Sequence, residues 1–456
     1  MQPVIEANAM ETATGGPDSE AAAEAAAGAA VNAGGSHAYR LYVLWLLFFV
    51  YVVHHLDRNI LLLLQEPIRK EFALSDSKLG LLTGIVYALP FALAGIPFGA
   101  LADRVSRTRM VAVLIIIWSG FTAVTGLARS FAALVVARAA IGAAEAGAPP
   151  GIMSMLSDTF PRKSRPSVMS ILFMGPFIGL LAGSILGGSA AAAFGWRGAL
   201  FIAAVPGVLL ALLILFTVRE PARGVFDSEA TRKLAAPPIG AVVLFAIRHV
   251  RVRDTILAMV MASTVAIGVA SWIPVLLMRV YGLPLAKAGL FTALIAGLPG
   301  ALGSLFAGWI ANRFGGRDDQ LLRLCGTAVG VAAPLGFLGA WAGSLPLAIL
   351  GFTLWGFVNT MFVGPGHSLY LNAAAPRMRG TLAAVVVIAC NLVGAGLGPL
   401  LVGSISDLLH TLGDPRPLAH AMGVLALAGL VSALLFLLAR AAAVRSPSPY
   451  SELQET

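Results

Sequence analysis

Twelve apolar stretches, most of them 20 residues or longer, follow one another between residues 41 and 440 and decide what this chain can fold into. About 20 apolar residues cross a bilayer as an α-helix, whereas a barrel strand needs only about ten with alternating polarity. Lipid cannot satisfy backbone N–H and C=O groups, so these long stretches must be helical. The sequence therefore predicts an all-α membrane protein with transmembrane helices at 41–65, 77–102, 110–128, 132–157, 167–191, 198–218, 253–278, 285–311, 321–343, 346–371, 381–408 and 419–440.

The composition excludes several other classes of protein. Apolar residues make up 58% of the chain and charged residues 12%, about half the charged share of a soluble domain, which argues against a water-soluble enzyme. The two cysteines, Cys325 and Cys390, lie in apolar stretches and have neither CxxC nor metal-ligand spacing. The sequence shows no nucleophile–base pair typical of an enzyme and no Walker motif for an ATP-driven pump.

The net charge of +9 is best explained by membrane topology. Most Lys and Arg residues lie in the gaps between apolar stretches, not on a solvated basic face, so nucleic-acid binding is not expected. If the N-terminus is cytoplasmic, 21 of the 31 fall on the cytoplasmic side and 8 on the other. Because cytoplasmic loops are enriched in Lys and Arg, both termini are predicted to be cytoplasmic, in a plasma or bacterial inner membrane.

The gap from Arg219 to Val252 is longer than the others and divides the stretches into six and six. Within it, Ile239 to Ile247 is apolar but too short to cross, and basic residues follow, so we predict an interfacial helix there. The predicted organisation is a disordered cytoplasmic tail (1–38), a six-helix bundle (39–218), a cytoplasmic linker (219–252), a second bundle (253–444) and a cytoplasmic tail (445–456).

The two halves carry related motifs in the same order. Gly99-Ala-Leu-Ala-Asp-Arg ends the second stretch and Gly308-Trp-Ile-Ala-Asn-Arg ends the eighth, while Pro150-Gly151 corresponds to Pro365-Gly366. This order suggests a parallel repeat of two pseudo-symmetric six-helix bundles. Transporters built in this way bind substrate near mid-membrane between the repeats.

Four ionisable residues with opposite formal charges stand out inside the first-half stretches: Asp57, Arg58, Arg138 and Glu145. Charges at that depth are costly and usually face a functional cavity. Adjacent helical residues are about 100° apart, so Asp57 and Arg58 cannot point the same way, whereas Arg138, Gly142 and Glu145 share a face. Protonating either acid would leave positive charge beside two guanidiniums, which favours a carboxylate or phosphate. We therefore predict Asp57 and Glu145 as proton-coupling residues and both arginines as substrate-binding; static ion pairs are the alternative.

The second half offers polar rather than charged side chains at mid-depth. Trp272, Asn359 and Asn391, together with His54, complete the predicted substrate-binding set. A charged half opposite a mostly apolar half suits an amphipathic anion. Packing for Trp272 and interhelical hydrogen bonding for the asparagines are the alternatives. Since His54 and its neighbour His55 point apart and lack further ligands at suitable spacing, no metal site is predicted.

The sequence from Gly99 to Arg107 resembles the loop 2–3 motif of the major facilitator superfamily, with Ser106 where glycine is usual. A second copy runs from Gly308 to Arg317, with Asn312 in place of the acid, and the resemblance extends over about residues 40 to 440. It implies a cytoplasmic latch that stabilises the outward-open state. The predicted gating residues are Gly99, Asp103, Arg104, Arg107, Asp158, Asn312, Arg313 and Arg317.

Within that superfamily the chain most resembles the spinster-like group. The resemblance rests on His55-Leu-Asp-Arg58, Arg138 to Ala146, Asn391 to Pro399, Gly195-Trp-Arg197 and Arg219-Glu-Pro221. It implies alternating-access transport that is often proton-coupled, and the eukaryotic members are associated with lysolipids. Aromatic-acid and sugar-acid symporters also carry an Asp-Arg pair in their first span.

These observations predict a secondary active transporter of an organic anion, driven by a proton gradient and without a cofactor. Its expected partners are a small-molecule or lysolipid-like substrate, protons and the lipid bilayer, and it is expected to be a monomer. A symporter of small hydrophilic carboxylates is the alternative within the family. A non-transporting membrane sensor or scaffold is the alternative from another class, although the tails and linker look short for a soluble output module.

Overall fold

The computed structural model describes residues 36–102, 104–161, 164–223, 238–314, 317–375 and 378–445. We call 36–223 the first half and 238–445 the second half. Predictions for the two tails fall largely outside these ranges, and so does Asp103. Throughout these ranges the regular structure is helical, with no β-strand.

Eleven segments of the described chain are long and apolar enough to cross a membrane. One of them, Ser167–Thr217, contains a non-helical residue, Gly195 (φ 71°, ψ 170°), and therefore comprises two helices, α5 before it and α6 after it. The remaining helices are α1 His37–Phe72, α2 Asp76–Ala102, α3 Arg107–Gly126, α4 Phe131–Thr159, α7 Val250–Arg279, α8 Leu285–Arg313, α9 Asp318–Trp341, α10 Leu345–Asn372, α11 Arg379–Thr411 and α12 Pro417–Val444. The predicted all-α fold with twelve crossings is confirmed.

Successive helices cross in opposite directions. We call the side on which α1 begins the terminal side and the other the distal side. An even number of crossings places residues 36 and 445 together on the terminal side. That this side is cytoplasmic remains a prediction.

Four first-half helices begin at a serine that caps them. The side chains of Ser36, Ser75, Ser106 and Ser130 each accept a hydrogen bond from the backbone N–H three residues later, at the start of α1, α2, α3 and α4. A serine in this position satisfies one of the donors that a helix N-terminus leaves without a partner. These caps explain why the short connections before α2, α3 and α4 end where they do.

A ten-residue helix, Ile239–Arg248, occupies the apolar part of the linker. It buries Val242 and Phe245 and packs on α7 and the start of α11, while Ile239 and Ile247 are exposed. An exposed apolar face with a basic residue at its end is typical of a helix lying on a membrane surface. The interfacial position remains a prediction.

Ionic contacts hold the two halves together on the distal side. Arg279 of α7 donates to Glu66 of α1 (2.9 Å) and to both carboxylate oxygens of Asp76 of α2 (2.7 and 3.0 Å). Asp407 of α11 accepts from the backbone N–H groups of Asp76 (3.0 Å) and Ser77 (2.9 Å). A carboxylate at a helix N-terminus is stabilised by the helix dipole. We call Glu66, Asp76, Arg279 and Asp407 the distal lock.

Close backbone contacts accompany the distal lock. A Cβ atom at Gly80 of α2 would lie 2.4 Å from the carbonyl oxygen of Pro399 in α11. A Cβ atom at Gly289 of α8 would lie 2.2 Å from the carbonyl oxygen of Ser184 in α5. Any larger residue would force these helices apart, so the α2–α11 and α5–α8 contacts between the halves depend on glycine.

We expect Arg279→Gln to weaken distal closure. The variant removes charge-assisted hydrogen bonds worth about 1.5–3 kcal/mol each, so the population with separated distal ends should rise roughly tenfold or more. Spin labels on the exposed distal positions Arg129 and Gly343 would report the distance between the halves. Arg197→Gln is the matched control, because Arg197 pairs with Glu71 within the first half (2.5 Å). Equal distance distributions for native protein and Arg279→Gln would contradict the assignment.

Candidate functional site

A cavity of about 320 Å³ lies between the two halves, lined by α1 and α5 on one side and by α7, α8 and α10 on the other. Its walls are mainly apolar and include Leu62, Phe177, Leu180, Ile267 and Trp355. Polar side chains are interspersed, namely His55, Arg58, Asn59, Ser184, Ser271, Thr292, Asn359 and Thr360. The position between the halves agrees with the site that the internal repeat predicts.

Arg58 is the guanidinium that lines this cavity. Its Nη1 lies 3.5 Å from Oδ1 of Asn391, a long contact that joins the halves across the interface. Asn391 belongs to a π-helical turn, Cys390–Ala395, and a second such turn, Ala293–Gly297, includes the cavity residue Ala296. Single π turns inside α-helices occur frequently at functional sites. Of the predicted second-half residues, Asn359 lines the cavity and Asn391 contacts Arg58.

Behind Arg58 lies a buried cluster centred on Tyr87 of α2. The Tyr87 hydroxyl donates to Oε2 of Glu145 (2.5 Å). Its ring centre lies 4.5 Å from the guanidinium carbon of Arg138 and 5.1 Å from that of Arg58, within cation–π range. Tyr87 and Arg138 are each 2% exposed and Glu145 is 0% exposed. Gly142 permits this arrangement, because a Cβ atom there would lie 2.4 Å from the Tyr87 carbonyl oxygen.

Neither guanidinium pairs with an acid within the part of the chain that the structure describes. No carboxylate there lies within ion-pair distance of Arg58 or Arg138, and Nε and Nη2 of Arg138 have no hydrogen-bond partner. Oε1 of Glu145 and Oδ1 of Asp57 also lack partners. The static ion pairs considered as an alternative are therefore not formed here. Buried charges without direct partners are costly, which points to a role other than stabilisation.

Asp57 and His54 lie deeper in the first half than the cavity. Asp57 points towards α3, where the Thr122 hydroxyl donates to its Oδ2 (3.3 Å), while Arg58 points into the cavity. The two neighbours thus diverge as helical geometry requires. Nδ1 of His54 lies 3.6 Å from Oε2 of Glu145. Of the four predicted charges, only Arg58 reaches the cavity, and Asp57, Arg138 and Glu145 are enclosed behind it.

Trp272 lies outside the cavity. It is fully buried, and its indole N–H donates to the carbonyl oxygen of Pro399 (3.0 Å), which joins α7 to α11. These contacts correspond to helix packing, the alternative considered for Trp272 in the sequence analysis. Trp272 does not line the cavity in which a substrate would bind. The bulk of an indole here supports the α7–α11 crossing.

The loop 2–3 motif forms a compact network around Arg107 on the terminal side. Arg107 contacts Asp158 of α4 and donates to Glu220 (2.9 Å), Ser154 (2.9 Å) and the carbonyl oxygen of Pro221 (2.7 Å). Glu220 also accepts from the backbone N–H of Thr108 (2.9 Å), at the first turn of α3. Sequence reasoning named Arg107 and Asp158 as gating residues, but it used Glu220 only for the family resemblance and as part of the start of the linker.

The other predicted gating residues make more local contacts. Arg104 and Asn312 are exposed, and a Cβ atom at Gly99 would meet nothing within 4 Å. Arg313 lies over the ring of its neighbour Trp309 (4.1 Å), and Arg317 lies 3.4 Å from Asp319. Among the described residues of the second copy, Arg313 and Arg317 thus form no bridge like the one that Arg107 makes in the first. Asp103 lies outside the described ranges.

The sequence matches the profile of the Major Facilitator Superfamily over residues 47–399. The chain belongs to that superfamily. An MFS-type efflux pump of Mycolicibacterium smegmatis is 26% identical, over 87% of this chain and 91% of that protein. The 3-(3-hydroxy-phenyl)propionate transporter of Escherichia coli is 29% identical, over 80% and 86%.

A crystal structure of a bacterial homologue of the human lysosomal transporter Spinster, inward-facing and unoccupied, superposes with a TM-score of 0.83. It is 27% identical and covers 90% of this chain and 99% of that one. The predicted spinster-like resemblance is therefore confirmed. Membership of a superfamily of transporters also confirms the prediction that this multi-pass membrane protein is not an enzyme.

We expect the Glu220 network to persist across physiological pH. Burial alone would raise the pKa of Glu220, but hydrogen bonds from the Thr108 N–H and from the Arg107 and Ser106 side chains outweigh it and lower the pKa to about 2. Because this value is below that of the unfolded chain, the stabilisation is complete above the usual glutamate pKa. It is lost as the pH falls from there through about 2.

Glu220→Gln should therefore lower the free energy of unfolding by about 1–2 kcal/mol near neutral pH. The difference from native protein should stay constant down to about pH 5 and shrink below that. Thermal unfolding in detergent at a series of pH values would measure it. Asp319→Asn, at an exposed pair, serves as control with an expected change near zero. A difference that instead grows as the pH falls would contradict the ionic role of Glu220.

Proposed function

We propose that this chain is a secondary active transporter that moves an organic anion by alternating access and is driven by a proton gradient. The observation that carries the proposal is the Arg58 guanidinium, which lacks a carboxylate partner among the described residues and lies at the edge of an apolar cavity between the halves. A guanidinium in such a place is suited to bind a carboxylate or phosphate through two parallel hydrogen bonds. The protein is proposed to act as a monomer in the cell membrane, with both termini cytoplasmic and without a cofactor.

The cavity walls favour an anion with an apolar body. Leu62, Phe177, Leu180 and Ile267 offer apolar surface to such a body. Of the polar side chains there, Ser271, Thr292 and Thr360 already donate to backbone carbonyl oxygens, which leaves fewer donors for a hydroxyl-rich sugar acid. A volume of about 320 Å³ is at the small end of ligand cavities. We therefore propose a single-chain, lysolipid-like anion as substrate.

A small carboxylate is the second candidate, and one observation favours it. The relative from Escherichia coli is named as a transporter of 3-(3-hydroxy-phenyl)propionate, an anion with an aromatic body. Trp355 and Phe177 in the cavity lining provide aromatic surface for such a ring. A non-transporting sensor is less well supported, because the relatives are a pump and a transporter.

Protonation of Glu145 would couple transport of the anion to the proton gradient. As a carboxylate, Glu145 offsets part of the positive charge of Arg58 and Arg138, and its protonation leaves that charge available to an anion. Binding linkage is reciprocal, so an anion bound at Arg58 also favours the proton on Glu145. This sign of coupling corresponds to symport of anion and proton. Asp57, with one carboxylate oxygen lacking a partner, is the second proposed proton site.

The test is pH-driven uptake into proteoliposomes of three radiolabelled anions: lauroyl lysophosphatidic acid, 3-phenylpropionate and galactonate. We expect uptake of an anion with an apolar body and little of galactonate. Arg58→Gln should reduce its apparent affinity about tenfold or more, since a charge-assisted contact is lost. Glu145→Gln should weaken the pH dependence of anion binding, and any dependence that remains is assigned to Asp57.

Arg197→Gln is the matched control, because this arginine pairs with Glu71 at 2.5 Å and does not line the cavity. It should leave both affinity and pH dependence unchanged. Full affinity in Arg58→Gln would disprove the anion site. Unchanged pH-driven uptake in Glu145→Gln would disprove coupling through that residue.

A further inference from the structure

We propose that Tyr87 is the positioning residue that connects the proton site to the anion site. Its hydroxyl holds the Glu145 carboxylate while its ring separates that carboxylate from the guanidiniums of Arg58 and Arg138. The inference rests on the proposed function, because it assigns the link between the two sites that function requires. It concerns a residue that lies behind the cavity and does not line it.

Three different parts of Tyr87 make the contacts. The hydroxyl donates to Glu145 at 2.5 Å, the ring lies 4.5 Å and 5.1 Å from the guanidinium carbons of Arg138 and Arg58, and the backbone carbonyl packs against Gly142. Phe91 stacks with the Tyr87 ring, with ring centres 5.7 Å apart. The contacts with Gly142 and Glu145 of α4 therefore fix the position of the Tyr87 ring, and stacking with Phe91 fixes its orientation.

The electrostatics explain why a tyrosine is needed. In an apolar interior, a carboxylate and two guanidiniums attract each other strongly, yet neither arginine lies within ion-pair distance of Glu145 in the described structure. The negative face of the Tyr87 ring attracts the cations, and its hydroxyl edge satisfies the anion. One side chain thus partly compensates both signs of charge and keeps them apart.

This separation keeps Arg58 available to a ligand. If Arg58 formed a direct pair with Glu145, the pair would be a static element of the first half and would compete with any anion for the same guanidinium. With Tyr87 between them, protonation of Glu145 removes the charged acceptor of the hydroxyl and changes the field at Arg58 without first breaking an ion pair. The effect of Glu145 protonation on Arg58, and so on the cavity, is therefore transmitted through Tyr87.

The other charged and titratable groups around Glu145 are placed differently. His54 of α1 has its Nδ1 3.6 Å from Oε2 of Glu145, and Asp57 is held by Thr122 of α3. His55 lines the cavity and Arg138 lies on α4 itself. Tyr87 is the group from α2 that donates a hydrogen bond to Glu145, so it is the contact whose loss can be tested selectively.

Tyr87→Phe is the discriminating variant, because it keeps the ring and removes only the hydroxyl. We expect the pH of half-maximal anion uptake to rise by about one unit, since the carboxylate loses a strong donor and protonation becomes easier. Infrared difference spectra between high and low pH, recorded without substrate, should show the carboxyl C=O band of Glu145, assigned by its loss in Glu145→Gln. In Tyr87→Phe that band should move to higher frequency, because its hydrogen bond is gone.

Tyr87→Leu removes the ring as well. Arg58 and Arg138 can then approach Glu145 directly, so we expect the affinity for lauroyl lysophosphatidic acid or 3-phenylpropionate, whichever is transported, to fall tenfold or more. Tyr370→Phe is the matched control: it removes the hydroxyl of a buried second-half tyrosine that has no hydrogen-bond partner. It should change neither the band nor the pH profile.

The possible results separate the two proposals. If the band is lost in Glu145→Gln but is unshifted in Tyr87→Phe, with an unchanged pH profile, the role of Tyr87 is wrong and the proton site stands. If the difference spectrum of native protein contains no band that depends on Glu145, both proposals fail. A folded Tyr87→Phe that behaves like Tyr370→Phe in both readouts also overturns the inference.

Discussion

The rest of this structure depends on two guanidinium groups within an apolar bundle, Arg138 buried and Arg58 at the cavity wall, that have no carboxylate partner among the described residues. Desolvating such charges is costly, and a pair formed with Glu145 or Asp57 would have been the simplest compensation. The described residues instead surround Tyr87 with Arg58 and Arg138 and give Glu145 a hydroxyl donor. That arrangement makes sense if the charges are kept for a ligand and a proton and are not used for stability.

The two halves divide the chemistry between them. The first half supplies the charged groups around Tyr87, and the second half supplies mainly apolar walls with Asn359 and Asn391 at the edge. On the distal side, the distal lock joins the halves through ion pairs such as that of Arg279 with Asp76. Ion pairs at a membrane surface can separate into water, whereas those in the bundle interior cannot. The distal ion pairs can therefore break and form again as the halves move, whereas the central guanidiniums stay within the bundle.

Much of the fold could be predicted because a chain that crosses lipid must satisfy its backbone hydrogen bonds internally, and long apolar stretches do so as helices. Stretch length gave the twelve helices, and the 100° rotation between neighbours correctly separated Asp57 from Arg58. The contacts of Tyr87, Arg279 and Glu220 could not be predicted in this way. Each joins residues that are distant in sequence, and a lone tyrosine within an apolar stretch carries no periodic signal. The sequence likewise placed Arg138 and Trp272 at the substrate, where only the packing of helices could show that both lie behind the cavity wall.

The helices themselves connect the buried cluster to the distal lock. α1 is continuous and carries both Arg58 and Glu66, which are about 12 Å apart along the helix axis. α2 carries both Asp76 and Tyr87, but Gly84 between them departs from helical geometry (φ −99°, ψ −104°) and packs against the backbone of Gly396 in α11. A change at the cluster can therefore reach Glu66 rigidly through α1, whereas α2 can bend between Tyr87 and Asp76. A rigid α1 together with an α2 that bends at Gly84 would allow the distal lock to open while the Tyr87 hydroxyl remains hydrogen-bonded to Glu145. The proton site would then keep its contacts when the halves move.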